Sequence, residues 1–125
     1  VSISNFLENT LLDLTFNATA YAGQSTMYVK LHTADPGEDC TSNAAGNTVR
    51  QPITVGAAAL GVVTTDLAAT WVSVSTTETY SHVSIWDTVG PAGGNPLWYG
   101  AMTAPKAVTA GDTFTFATGQ TISLD

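Results

Sequence analysis

The chain is poor in charge, and above all in positive charge. Its 125 residues include three Lys or Arg against ten Asp or Glu, a formal net charge of −7. Lys30, Arg50 and Lys106 lie far apart in sequence, whereas a nucleic-acid binder needs several cations to neutralise phosphates. No nucleic acid is expected as a partner, and anionic lipid is ruled out on the same ground. Cysteine occurs once, as Cys40. One thiol makes neither an internal disulfide nor a cysteine-rich zinc site, and it suits a reducing cytoplasm. No apolar run approaches the ~18 residues that mark a transmembrane helix, so no membrane is expected either. The start, Val1-Ser2-Ile3-Ser4-Asn5, has no basic region, so no retained signal peptide is expected. Linkers and internal repeats are also missing. With this length, that leads to an expectation of one domain over residues 1–125.

The usual catalytic constellations are missing too. No Ser or Cys stands in a G-x-S-x-G frame, and there is neither G-x-G-x-x-G nor a P-loop. The ten acids offer no particular carboxylate pair for glycoside hydrolysis. The densest chemistry lies in "YVKLHTADPGEDC", Tyr28 to Cys40. Asp35, Glu38 and Asp39 are close enough to line one calcium loop. Pro36 and Gly37 break the spacing of an EF-hand, however, and no bidentate Glu follows. The stretch reads as a strand running into a solvated acidic turn. His32 and His82 are the only histidines, and neither has a second His or Cys at ligand spacing. Alternation puts His32 on a face with Tyr28 and Lys30, and His82 on a face with Tyr80 and Trp86. Cys40 has no activating basic surroundings. No metal or cofactor is called for, and the chain is not expected to be an enzyme.

What is present is apolar and β-forming. Apolar residues make up 44% of the chain, and threonine occurs 21 times. Ile3, Phe6, Leu7, Leu11 and Leu14 recur at helical spacing, which predicts a helix over about 3–16. Ser4 or Asn5 is placed to cap it, and Asn5 with Glu8 resembles a capping box. The apolar stripe of this helix needs burial against the sheet or against a neighbour. Strands are predicted at 26–33, 49–55, 60–65, 69–76, 79–87, 96–102, 113–117 and 120–124. Strands at this spacing without intervening helices indicate a mainly β fold, an antiparallel β-sandwich or jelly roll with a short N-terminal α-helix. Trp71, Trp86 and Trp98 lie in strand runs and are read as core, with a sugar-stacking face as the alternative.

Several segments carry a resemblance when taken together: "SNFLENTLLDLTF", "MYVKLHTADPGED", "VRQPITVGAAA", "YSHVSIWD", "NPLWYGAMTAPKAVTAGDTFTF" and "TISLD". In this order the chain resembles a family of small structural proteins of tailed bacteriophages, commonly labelled phage tail fibre-like proteins. The resemblance implies a virion component, assembled in the host bacterial cytoplasm, with no catalytic role for the acidic turn. It also leads one to expect glycine where Cys40 stands. A short chain without repeats does not make a fibre shaft by itself. The role expected from the sequence is therefore capsid decoration, a cement protein that stabilises the shell through protein–protein contacts. The alternative is a tail or tail-fibre component, or a carbohydrate-binding receptor module. The implied partners are other virion proteins, either the major capsid protein or tail proteins, and further copies in a homo-oligomer. Contact candidates are Phe6, Leu7, Leu11 and Leu14 on the helix, Asp35, Pro36 and Gly37 in the acidic turn, and Pro91 and Asn95 in the later loop. Packing of the helix on its own sandwich is the expected arrangement, and docking to a partner the other.

Overall fold

Period-two alternation of β-branched and aromatic residues builds the larger of two layers. The computed structural model of the chain describes residues 2–124. Its main sheet contains β1 (Ser2–Ile3), β2 (Met27–His32), β3 (Gln51–Ile53), β6 (Glu78–Trp86) and β7 (Pro96–Val108) in the order β1-β7-β6-β2-β3. Every pairing is antiparallel. Val29 lies opposite Ile85, and Leu31 opposite Val83. Across the next pair, Ile85 faces Trp98 and Val83 faces Gly100. Val29, Leu31, Val83, Ile85 and Trp98 belong to one buried cluster with Ile53, Trp71, Tyr80 and Phe114. Burying one large apolar side chain contributes about 1.5–3 kcal/mol, so this face supplies most of the driving force. Gly100 has a packing reason to be glycine: a Cβ there would collide with the Trp98 ring.

The second layer is a bent ribbon. Strand β4 (Val62–Thr64) pairs with β9 (Thr121–Ser123), and β5 (Ala69–Trp71) pairs with β8 (Phe114–Phe116). The two pairs share one register. Val62 lies opposite Ser123 and, nine residues further along, Trp71 lies opposite Phe114, nine residues back. The interruption is held by Thr65, whose N–H donates to Gln120 O and whose carbonyl accepts from Gly119 N–H. Phe114 joins the layers, with its ring 5.7 Å from Trp71 and 5.2 Å, edge-on, from Tyr80.

Several boundaries differ from the sequence reading. The helix α1 spans Asn5–Phe16, and Ile3 lies in β1 instead. Ser4 is the N-cap, its Oγ accepting from Leu7 N–H at 3.2 Å. The Asn5–Glu8 capping box does not form, because Ser4 takes the cap and Asn5 is already helical, its amide reaching Asp39. Strand β5 stops at Trp71 rather than 76. Ser73 takes a positive φ of 59°, and Val74 then pairs with the Gly111-Asp112 turn. β4 begins after a turn at Leu60 and Gly61, both with positive φ. β7 runs on to Val108, past the expected 102. A register shift between Tyr80 and His82 breaks the alternation. Tyr80 therefore joins the core and does not share a face with His82 and Trp86.

Candidate functional site

The contact candidates gather around α1 and two loops. Ser4 fixes the start of the helix twice: its Oγ caps α1 and also donates to Pro96 O. Phe6 and Leu7 pack on the core, and Phe6 meets the Tyr21 ring edge-on at 6.5 Å. Under this first turn lies an apolar pocket of about 330 Å³, lined by Ile3, Leu7, Met27, Val55, Leu97 and Ile122 among others. Beyond it the helix leaves the body. No residue of α1 is fully buried, and Leu11 is only half-buried. Leu12, Leu14 and Phe16 are exposed to 55%, 44% and 77%. The expected packing of the whole apolar stripe on the sandwich is thus confined to its N-terminal end. Exposed apolar residues scattered singly are ordinary, but Leu12 and Phe16, one turn apart on the same side of the helix, form a patch, while Leu14 extends the stripe of Leu7 and Leu11.

The acidic turn is ordered by its own backbone. Asp35 Oδ1 accepts from Gly37 N–H at 2.9 Å, and Asp35 O accepts from Asn43 Nδ2 at 2.7 Å. Gly37 has φ of 73°. Asp35, Glu38 and Asp39 are exposed, whereas Pro36 is fully buried and offers a partner no surface. The bond from Asn5 Nδ2 to Asp39 Oδ1, at 3.3 Å, sets this turn beside the start of α1. Cys40 closes the turn with φ of 55° and a buried side chain, its Sγ 4.0 Å from Trp98 O. Burial pushes its thiol pKa up to about 12, with the Asp39 charge adding to the effect.

The other loop, 88–95, is clamped at its base. Asp87 accepts from Asn95 N–H at 2.7 Å and from Asn95 Nδ2 at 2.9 Å. Arg50 braces it from below, its Nη1 donating towards Thr88 O, Thr88 Oγ and Gly93 O. The Arg50 guanidinium lies 4.0 Å from the Trp86 ring centroid, and Lys30 Nζ lies 5.4 Å from it. Cation–π attraction thus holds two of the three cations against one indole. Pro91 is exposed, while Asn95 is committed to the Asp87 clamp.

The histidines do meet, directly opposite each other on β2 and β6. His32 is fully buried. Its Nδ1 lies 3.0 Å from Ser42 O and its Nε2 lies 2.7 Å from Ser84 Oγ. A carbonyl only accepts, so Nδ1 carries the proton and Nε2 accepts from Ser84. Ser84 Oγ in turn accepts from Trp86 Nε1 at 2.8 Å. Burial first, with the Lys30 charge adding to it and the Ser42 carbonyl opposing, lowers the His32 pKa to about 4. A Ser–His contact is the start of a nucleophile–base pair. Here, however, both groups are fully buried, and the outer histidine nitrogen meets a backbone carbonyl rather than a carboxylate. The arrangement is a satisfied buried network.

All three tryptophans are buried, each with its indole N–H bonded: Trp71 to Val49 O, Trp86 to Ser84 Oγ and Trp98 to Ser123 O. Among the described residues, no three His, Cys, Asp or Glu side chains converge to hold a metal ion. Among the described residues no helix is long and apolar enough to cross a membrane. Sequence reasoning missed Arg50 and Ser84. Ser84 carried a usable signal, since it sits between His82 and Trp86 on the same face of β6. Arg50 carried none, because its hydrogen-bond partners, on Thr88 and Gly93, lie some forty residues away.

Residues 2–123 match a family model described as podophage GP4 fiber I protein gp80. No curated protein matches the chain. The chain belongs to this podophage fibre family and is a virion structural protein.

Proposed function

We propose that this member of the podophage fibre family is a non-enzymatic subunit that joins other virion proteins through the outer half of α1. The observation that carries this reading is the helix itself. Its first turn is fixed by Ser4, Phe6 and Leu7, while Leu12, Leu14 and Phe16 stand in solvent. A helix held at one end and apolar at the other is suited to enter a groove on a neighbour. The acidic turn at Asp35 and Gly37 and the loop carrying Pro91 are exposed and offer further contact surfaces. Many symmetric copies turn such modest contacts into strong attachment.

The family description favours a place in a fibre, bound to tail proteins. Capsid decoration, with the major capsid protein as partner, is the second reading. It draws support from the absence of any repeat from which a shaft would be built. Purified particles test both. Density for this chain at one vertex supports the fibre, and density repeated over the shell supports decoration. Phe16→Asp should leave the isolated chain folded and reduce its incorporation into particles. Normal incorporation of that variant would count against the docking role of the helix.

A further inference from the structure

Two carboxylates frame the exposed end of α1. Residues three and four apart share a side of a helix, so Glu8 lies one turn before Leu12, and Asp13 lies beside Phe16. The apolar patch of Leu12 and Phe16 thus has one acid below it and another at its flank. No cation lies near them in sequence: residues 1–29 contain no Lys, Arg or His, and the last turn of α1 holds no basic residue. Asp13 Oδ1 accepts from Asn17 Nδ2 at 2.7 Å, a neutral donor that does not offset the charge. The base of the helix is acidic as well. Asn5 is bonded to Asp39. Partial burial first, and then charges that include Glu38, Asp35 and Glu8, raise the Tyr99 pKa, so the helix acid and the turn acids share one neighbourhood. The place of Asp13 is against the interest of its own helix. The C-terminal end of a helix is its negative pole, where Lys or Arg is favoured and an acid disfavoured. Asp13 is exposed, and an uncharged Asn there would accept the same bond from Asn17. A charge that local stability disfavours is expected at a contact site.

We propose that the groove receiving this end of α1 belongs to a different virion protein and is apolar at its floor and rimmed with Lys or Arg. This rests on the reading of α1 as a docking helix and names the chemistry of its partner. Charge complementarity decides the occupant. A second copy of this chain would bring a net charge of −7 and three cations. Two of these, Lys30 and Arg50, are held against Trp86, which leaves Lys106 alone to form a basic rim. Residues 12–20 are exposed without a break. The helix end and the four residues after it therefore stand clear of their own body and can enter a cleft. The rim pairs with Glu8, with Asp13 and with the negative pole of the helix. The floor covers Leu12 and Phe16.

The test adds the purified full chain back to particles assembled without it, at ionic strengths of about 0.05 M and about 0.5 M, and reads the bound fraction by co-sedimentation. Wild-type binding should weaken about tenfold at the higher salt, because screening reduces the attraction between opposite charges. Asp13→Lys should keep the wild-type circular dichroism spectrum and melting temperature, yet bind about tenfold or more weakly at the lower salt. Asp13→Asn should fall between the two. Wild-type binding that ignores salt, or an Asp13→Lys chain that binds like wild type, would overturn the proposal. So would self-association of the free chain at the lower salt, lost in Phe16→Ser, by placing a second copy on the helix. Phe16→Ser tests the underlying reading separately, and it should abolish binding at both salts. If Phe16→Ser binds normally, α1 is not the docking element and both readings fall. If it abolishes binding while salt and Asp13→Lys have no effect, the helix docks into an uncharged groove and only the basic rim falls.

Discussion

Cys40 and His32 show how single residues serve the frame of this molecule rather than its chemistry. Cys40 sits at positive φ, where an L side chain is uncommon and glycine is at ease. The resemblance had pointed to glycine here, and the backbone gives the physical reason. Cys40→Gly relieves that conformation and loses a small buried side chain, so the two effects should cancel to within about 1 kcal/mol. Cys40→Val, β-branched at positive φ, should cost more than that. Urea unfolding of both variants checks this. With its thiol buried and its pKa pushed up to about 12, Cys40 should resist alkylation at pH 8 until the chain unfolds. His32 supplies a pH signature. Its folded pKa of about 4 lies below the ordinary 6.5, so the unfolded chain takes up a proton first as pH falls. The stability it confers is full above about pH 6.5 and is lost progressively as the pH falls from there to about 4, a change of about 3 kcal/mol. His32→Gln should flatten that dependence in melts recorded between pH 4 and 7. The identity of this histidine was plain in the sequence, but its burial was not. That burial depends on the loop at Ser42 folding over β2, a contact no local pattern encodes.

At the scale of elements, α1 divides in two. Leu7→Asp places a charge against Met27 and Leu97 in the apolar pocket and should destabilise the chain by about 2–4 kcal/mol. Leu14→Asp, at an exposed position, should change stability by less than about 0.5 kcal/mol. Thermal unfolding of the two variants separates the anchored half from the free half. If the two cost the same, the division is wrong. The periodicity of Ile3, Phe6, Leu7, Leu11 and Leu14 made the helix legible but not its division. A hydrophobic stripe shows that burial is needed without showing where. The strands were legible for a similar reason, since β-branched alternation survives in β2 and β6. The breaks were not legible. They arise at Leu60 and Ser73, ordinary residues held at positive φ by pairing elsewhere in the fold, and at the shift beside Ser81. The shared register of the two short ribbon pairs was equally hidden, because it is a long-range relation between segments some fifty residues apart.

For the whole molecule, an apolar helix end is set on a body whose polar side chains mostly bond inward. The tryptophans, His32 and Ser84 are bonded inside, and the apolar end of α1 faces outward. A chain with this division gains by assembly, because covering that end removes apolar area from water. A net charge of −7 keeps free copies apart until many contacts act together, so added salt should promote association between copies by screening the repulsion. The scarcity of cations in the composition turned attention to protein partners. The surfaces themselves needed the three-dimensional arrangement. The most direct measurement is a cryo-electron microscopy reconstruction of the intact particle at side-chain resolution. The account predicts density for this chain on the virion, with Leu12, Leu14 and Phe16 buried against a neighbouring protein. A particle that lacks the chain, or one that carries it with that end of α1 in open solvent, would contradict the account.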